Sequence, residues 1–365
     1  MNRMSLHFDH VTLGQRVRFG TNRAADNLAA EVNRLGAERV MVIAAPTESA
    51  IADSVTGHID VAVRHDDVAP HVPLDKAAKA RAVASDNGID LLVCIGGGST
   101  TGLAKAVAMT TALPIVAVPT TYAGSEATNV WGLTESARKT TGVDDTVLPT
   151  TVIYDAALTL SLPVELSIAS GLNGMAHCID SMWAPRADPI NQAMAGEGIR
   201  ALANGLPALR QDPHDLSGRE QTLYGAYLSA VAFASAGSGL HHKICHVLGG
   251  AYNLPHAETH ATVLPYVLAF NGPAAPEAEA RIATAFGAAA AIEGLDALRD
   301  KVNAPRALQD HGMAEEAIPE AAELILPAVP ESNPRPVREA DLDRLLRAAH
   351  TGAAATTCGT AACKA

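Results

Sequence analysis

Apolar positions along the first part of the chain follow two alternating rhythms. Residues 24–35 repeat at helical spacing and stop at Gly36, whereas residues 40–44 form a short unbroken apolar run with β-branched members, the pattern of a strand buried on both faces. The rhythm then recurs. Residues 61–63 predict a weaker strand, 75–84 a helix, 91–95 a strong strand, 103–110 a helix and 115–118 a further strand. Such alternation predicts a parallel sheet with helices on both faces and ligands bound beyond the carboxyl ends of its strands. From about Val164 the spacing is helical, over residues 192–206, 221–234, 276–291 and 340–350. The expected fold is therefore α/β plus all-α: a parallel-sheet dinucleotide-binding domain over residues 1–161 and an all-helical domain over 162–352. An Ala/Thr-rich tail, 353–365, is expected to be disordered. A ligand held at the sheet would face the helical domain across an interdomain cleft.

Two strand ends carry loops suited to an anion. Gly96, Gly97, Gly98 and Ser99 stand between the 91–95 strand and a helix, where small residues let backbone N–H groups approach a phosphate and the helix N-terminus adds partial positive charge. The next strand ends in Pro119, Thr120, Thr121 and Tyr122, followed by Ala123, Gly124, Ser125 and Glu126. Two such ends side by side point to a dinucleotide, although GGGS matches neither of the common phosphate-loop fingerprints.

The densest chemistry lies in residues 239–256, GLHHKICHVLGGAYNLPH. His242 and His246 are four residues apart and share one face of a helix. Gly249 and Gly250 are expected to end that helix, and Asn253 and Pro255 to turn the chain so that His256 approaches the same point. In residues 171–180, GLNGMAHCID, Asn173 and His177 repeat the four-residue spacing. Each polar ring buried in such apolar segments needs its own partner, so three histidines and an amide indicate a site rather than packing.

Composition narrows the ligand. Lys+Arg 27 against Asp+Glu 39 gives a net charge of −12, which argues against nucleic acid or an anionic membrane as partner. The N-terminal residues lack the apolar core of a signal peptide, and no later run is long enough to span a bilayer. Five cysteines with no CxxC pair fit reduced thiols and a cytoplasmic setting.

The order GGGS, PTT…GSE, GxxGMxH, HxxxH and a histidine ten residues on resembles the iron-containing (group III) alcohol dehydrogenase family, across about residues 20–350. GGGSTTGLAKA, PTTYAGSEAT, GLNGMAHCID and ESNPRPV are more specifically similar to its maleylacetate reductase branch. The resemblance implies a dehydroquinate synthase-like fold, a homodimer, and reduction of a conjugated C=C bond in a small dianionic substrate by NADH or NADPH. It places Gly97, Gly98, Ser99, Thr120, Thr121, Tyr122 and Lys139 at the cofactor; the charge of such a substrate makes Asn173, His177, His256 and Tyr122 candidates to bind it, and Arg335, in NPRP, is either a second carboxylate clamp or a solvated loop residue. His242, His246 and Lys243 become the candidates for catalysis, with His242 the first choice as proton donor and His246 the second.

Three departures from the family pattern matter. Asn173 stands where metal-dependent members carry an aspartate, so a metal is not expected to be required; if one binds, His177, His242 and His256 are the ligands implied. Gly102 replaces the aspartate that usually follows GGGSxx. Ala45 replaces the strand-end acid that reads a ribose 2′-hydroxyl, which removes a reason to reject NADPH. A metal-dependent alcohol or polyol dehydrogenase is the alternative enzyme, and a non-redox protein on the same scaffold the third reading.

Overall fold

The computed structural model describes residues 7–135 and 138–355. Its elements, in chain order, are β1 (Arg16–Phe19), α1 (Ala24–Leu35), β2 (Val40–Ile43), α2 (Ser49–Thr56), β3 (Val63–His65), α3 (Leu74–Asp86), β4 (Leu91–Gly96), α4 (Gly98–Thr111) and β5 (Ile115–Pro119). There follow β6 (Val130–Glu135), β7 (Arg138–Val143), β8 (Thr151–Tyr154), α5 (Val164–Ser181), α6 (Pro189–Gln211), α7 (Leu216–Ala236), α8 (Leu240–Tyr252) and α9 (His256–Asn271). The chain continues through α10 (Pro276–Phe286), α11 (Ala291–Lys301), α12 (Ile318–Ile325) and α13 (Glu339–Thr351).

Six strands form one parallel sheet in the order β1-β8-β5-β4-β2-β3. Every residue of β2, β4 and β5 is buried, because alternate side chains enter two separate cores. Met41, Ile43, Leu92, Cys94 and Ala117 pack with α3 and α4 on one face. Val40, Val42, Leu91, Val93, Ile95, Val116 and Val118 pack with α1 and α2 on the other. The alternation expected from the sequence is thus present, with β1 and β8 added beside β5. The expected strand at 61–63 is shifted to Val63–His65, where it pairs with Met41–Ile43. An antiparallel pair, β6 with β7, stands apart from this sheet and is not among the expected strands.

By contact the chain groups into a sheet unit, Gly14–Gly171 with Asn204–Ala230, and a helical unit. The latter comprises the described residues of Met1–Leu13, Leu172–Ala203 and Val231–Ala365. The expected border at 161/162 is not where contacts divide the chain, since the division falls within α5, α6 and α7. Within the helical unit, α8, α9, α12 and α13 enclose one apolar core. The continuous helix expected over 276–291 is two helices, because Gly287 takes the left-handed conformation (φ 67°) that closes α10. The start of the expected disordered tail is packed: Tyr266 donates to the Ala353 carbonyl at 2.8 Å and Ala355 is buried. The remaining tail lies outside the described residues. No helix among the described residues is long and apolar enough to cross a membrane.

Candidate active site

In the sheet unit, Gly96 lies opposite Pro119, so the glycine turn and the loop after β5 leave the sheet side by side. Gly96 has φ 147°, and a Cβ there would stand 2.6 Å from Thr100 Oγ1, so only glycine makes this turn. The α4 N-terminus begins at Gly98 without a side-chain cap, and Gly97, Gly98 and Ser99 are not buried. Uncapped N–H groups at the start of a 14-residue helix favour an anion. A Cβ on Gly97 would come 3.0 Å from Thr121 Cγ2, whereas one on Gly98 would meet only Ala123 at 3.9 Å. Gly97, Gly98, Ser99 and Thr121 are therefore residues that would hold the pyrophosphate of a dinucleotide.

The neighbouring candidates fare differently. Thr120 is buried, and its hydroxyl donates to Glu48 Oε1 at 3.3 Å. Tyr122 is corrected from ligand contact to core. Its ring is fully buried, its hydroxyl donates to Thr159 Oγ1 at 3.2 Å, and Arg219, itself buried, donates to that hydroxyl at 3.2 Å. Lys139 falls on β7, and its side chain lies outside the described residues. Beneath the loop, the buried Lys105 of α4 donates to the carbonyls of Ser125, Thr128 and Val130 at 2.7–2.8 Å, fixing residues 125–130.

α5 carries Asn173, His177 and Asp180 at i, i+4 and i+7, one polar stripe along the helix. Asp180 is fully buried. Its Oδ2 accepts from Gly239 N at 2.8 Å and lies 2.7 Å from His242 Nδ1. A Cβ on Gly239 would fall 2.3 Å from Asp180 Oδ1, so glycine at the α8 N-terminus is what admits the carboxylate. Because Oδ2 already accepts a backbone N–H, the bond to His242 is assigned as Nδ1–H donating. The Nε2 lone pair of His242 then points away from the carboxylate, and Nε2 has no partner. Burial lowers the His242 pKa well below its ordinary value and raises that of Asp180.

Around His242 the rings assemble closely. His177 stacks on it at 4.9 Å between centroids, and Phe233 lies 4.7 Å from His177 and 4.3 Å from His242. His246, exposed and one turn along α8, has its ring 6.0 Å from His242. His256, also exposed, opens α9 and lies 4.4 Å from His260. The expected ending of the helix at Gly249 and Gly250 does not occur. The helix runs on to Tyr252, because Asn253 (φ 53°) supplies the left-handed cap. Asn173 is buried with its Oδ1 unpartnered, as is His177 Nδ1. Burial, and then the nearby charge of His242, His256 and His246, holds the His177 pKa well below its usual value. Lys243 is half-buried, and its ammonium adds to the depression at His242.

Arg335 does not join this group. It stacks on the Phe270 ring at 4.0 Å from the centroid and donates to the Phe270 carbonyl at 3.4 Å. Fourteen residues separate Phe270 from His256 on α9, about 21 Å of helix. A cation is favoured there by the aromatic face and the helix C-terminus.

The fit of this site to iron is poor. Asn173 brings no charge, and the His177 and His242 rings stack within 17° of parallel, so their in-plane lone pairs do not meet at one point. The nitrogens of His177, His242 and His256 are not all within 4.8 Å of one another. Among the described residues one trio of His, Cys, Asp or Glu meets that condition, His241, Cys245 and His260.

The chain matches the iron-containing alcohol dehydrogenase model over residues 14–156 and the C-terminal model of the Fe-containing alcohol dehydrogenase family over residues 167–350. It is 44% identical to a maleylacetate reductase of Pseudomonas sp. (strain P51) over 349 residues, 95% of this chain and 99% of that one. Among solved structures, an iron-containing alcohol dehydrogenase from Corynebacterium glutamicum is 64% identical with a TM-score of 0.96, covering 97% of this chain and 99% of that one. A maleylacetate reductase from Agrobacterium tumefaciens is 40% identical with a TM-score of 0.91, covering 96% of this chain and all of its own. The chain belongs to the iron-containing alcohol dehydrogenase family.

Proposed function

We propose that the chain is a maleylacetate reductase, transferring hydride from a reduced nicotinamide dinucleotide to the conjugated C=C bond of maleylacetate and yielding 3-oxoadipate. One observation carries this beyond the family. The α5 stripe holds a single acid, Asp180, and the Gly239 and His242 donors occupy it. What remains around it is an amide, imidazoles and an ammonium, with no unpaired carboxylate to repel a dianion. The identity to maleylacetate reductases over nearly the whole chain supports the same substrate.

The nicotinamide, when bound, supplies the hydride; the side chains do the rest. Hydride added to the alkene develops negative charge on the conjugated ketone oxygen, and Lys243, His256 and the Asn173 amide are donors suited to it. The carbon that becomes carbanionic then needs a proton. His242, buried and presenting an Nε2 lone pair, is badly placed to give one, whereas His246, one turn along α8, is exposed. The order of the two candidates is therefore reversed: His246 is the proton donor and His242 the ring that Asp180 holds in place. No step passes through iron. A family-type metal alcohol dehydrogenase is the second reading, favoured by the description of the Corynebacterium chain. Cofactor oxidation with maleylacetate against simple ketones separates the two. The buried free thiols Cys94, Cys178 and Cys245 support a cytoplasmic setting, and light scattering measures the homodimer this reading includes.

A further inference from the structure

We propose that His241, Cys245 and His260 form a separate site for a thiophilic divalent cation, zinc by preference, tying α8 to α9 behind the catalytic histidines. His241 and Cys245 are four residues apart on one face of α8, and His260 faces them from α9. All three are buried, at 1%, 2% and 0% exposure. His241 Nε2 lies 3.0 Å from His260 Nδ1 and 3.6 Å from Cys245 Sγ, and all three ligand atoms are within 4.8 Å of one another. Around a tetrahedral zinc with bonds of about 2.05 Å to nitrogen and 2.3 Å to sulfur, the expected separations are about 3.3 Å and 3.6 Å. The His241–Cys245 distance already matches, the Cys245–His260 distance is within 4.8 Å, and the nitrogens need to part by about 0.3 Å, replacing their hydrogen bond with two metal bonds.

The donor set selects the ion. One thiolate and two imidazoles suit zinc, while magnesium, calcium and manganese prefer oxygen. On binding, the ring proton now between Nε2 and Nδ1 moves to the outer nitrogen of its own ring; both outer atoms, His241 Nδ1 and His260 Nε2, are without partners. The thiol proton leaves: Cys–SH and Zn²⁺ give Cys–S–Zn⁺ and H⁺. The resulting charge has a counterpart in Asp180, whose field reaches both His241 and Cys245. The site differs from the family's set at every position, being displaced by one residue from His242 and by one helical turn from His256. It stands independently of the reductase reading.

The test uses the full-length chain after chelator treatment, titrated with Co²⁺ as a spectroscopic stand-in and then with Zn²⁺. The expected result is a single equivalent bound, with tetrahedral Co²⁺ bands and a thiolate-to-cobalt charge-transfer band that zinc displaces. Zn²⁺ should also raise the melting temperature. Cys245→Ala should lose the charge-transfer band and His260→Gln should weaken binding at least tenfold, while His256→Ala keeps both band and affinity. Binding without a thiolate band, or binding lost in His256→Ala and kept in Cys245→Ala, would assign the metal to the family's set and overturn the proposal. So would wild-type protein that binds neither ion, a result needing no variant to fold.

Discussion

The Asp180 carboxylate lies 2.7 Å from Nδ1 of His242 and 2.8 Å from the backbone nitrogen of Gly239, so one buried acid fixes both the start of α8 and the tautomer of its central histidine. Replacing Asp180→Asn keeps the shape but exchanges the charged acceptor that selects Nδ1–H for a neutral amide with one acceptor oxygen and a competing NH2 donor. Activity should fall about 10- to 100-fold, as for other residues that orient a functional histidine. Stability should fall by about 1–3 kcal/mol, the cost of weakening buried hydrogen bonds to a charged acceptor. Steady-state kinetics and denaturant unfolding read the two effects; a variant with normal kcat would show that the His242 tautomer does not matter.

His246 and His242 are distinguished by what their loss does to protonation. His246→Gln should lower kcat by about 10²–10⁴ with little change in KM, and should remove the limb of the kcat profile that reports a proton donor. His242→Gln should leave that limb in place. A limb that disappears with His242 instead would restore His242 as the donor.

Burial keeps His177, His241, His242 and His260 neutral, with pKa values well below 6.5. Their unfolded pKa is near 6.5, so below it the unfolded chain binds protons that the native chain refuses. Metal-free protein should therefore hold its stability above about pH 6.5 and lose it as the pH falls, by up to about 1.4 kcal/mol per pH unit for each group. Urea unfolding between pH 5 and 8 measures the slope, and His260→Gln should reduce it by one proton. A flat profile would mean that these rings are not neutral in the fold.

Asn173→Asp places a carboxylate beside His177. Like charges about 4 Å apart repel by about 4 kcal/mol at an effective dielectric of 20, so even a quarter of that raises KM for a dianion several-fold. Lower stability with unchanged KM would make Asn173 a packing residue only.

The sheet was legible because both faces of β2, β4 and β5 are buried, which leaves unbroken apolar runs such as Leu91–Gly96. The β6 and β7 pair is half-exposed where described, with Gly132 breaking the apolar residues of β6 and β7 mostly polar, and left no such run. At the site, Asn173, His177, His242 and His256 stood out by spacing. Asp180 had the same signal, seven residues after Asn173, but histidines four apart drew the reading to themselves. His241 and His260 were visible only as extra histidines, since their pairing depends on how α8 and α9 pack. Phe233 carried no chemical signal at all. Tyr122 and Arg335 differ in another way: they were candidates for ligands, whereas the structure gives their side chains tertiary partners, Thr159 and Arg219 for one and Phe270 for the other.

The most direct test follows oxidation of NADH by chelator-treated protein, with maleylacetate and with simple ketones or aldehydes, each with and without added Fe²⁺ or Zn²⁺. The account predicts rapid oxidation with maleylacetate, 3-oxoadipate as product, no need for added iron, and rates on simple carbonyls lower by at least about 10³, or 4 kcal/mol in transition-state binding. Activity that appears only with added Fe²⁺ and favours simple aldehydes over maleylacetate would contradict it.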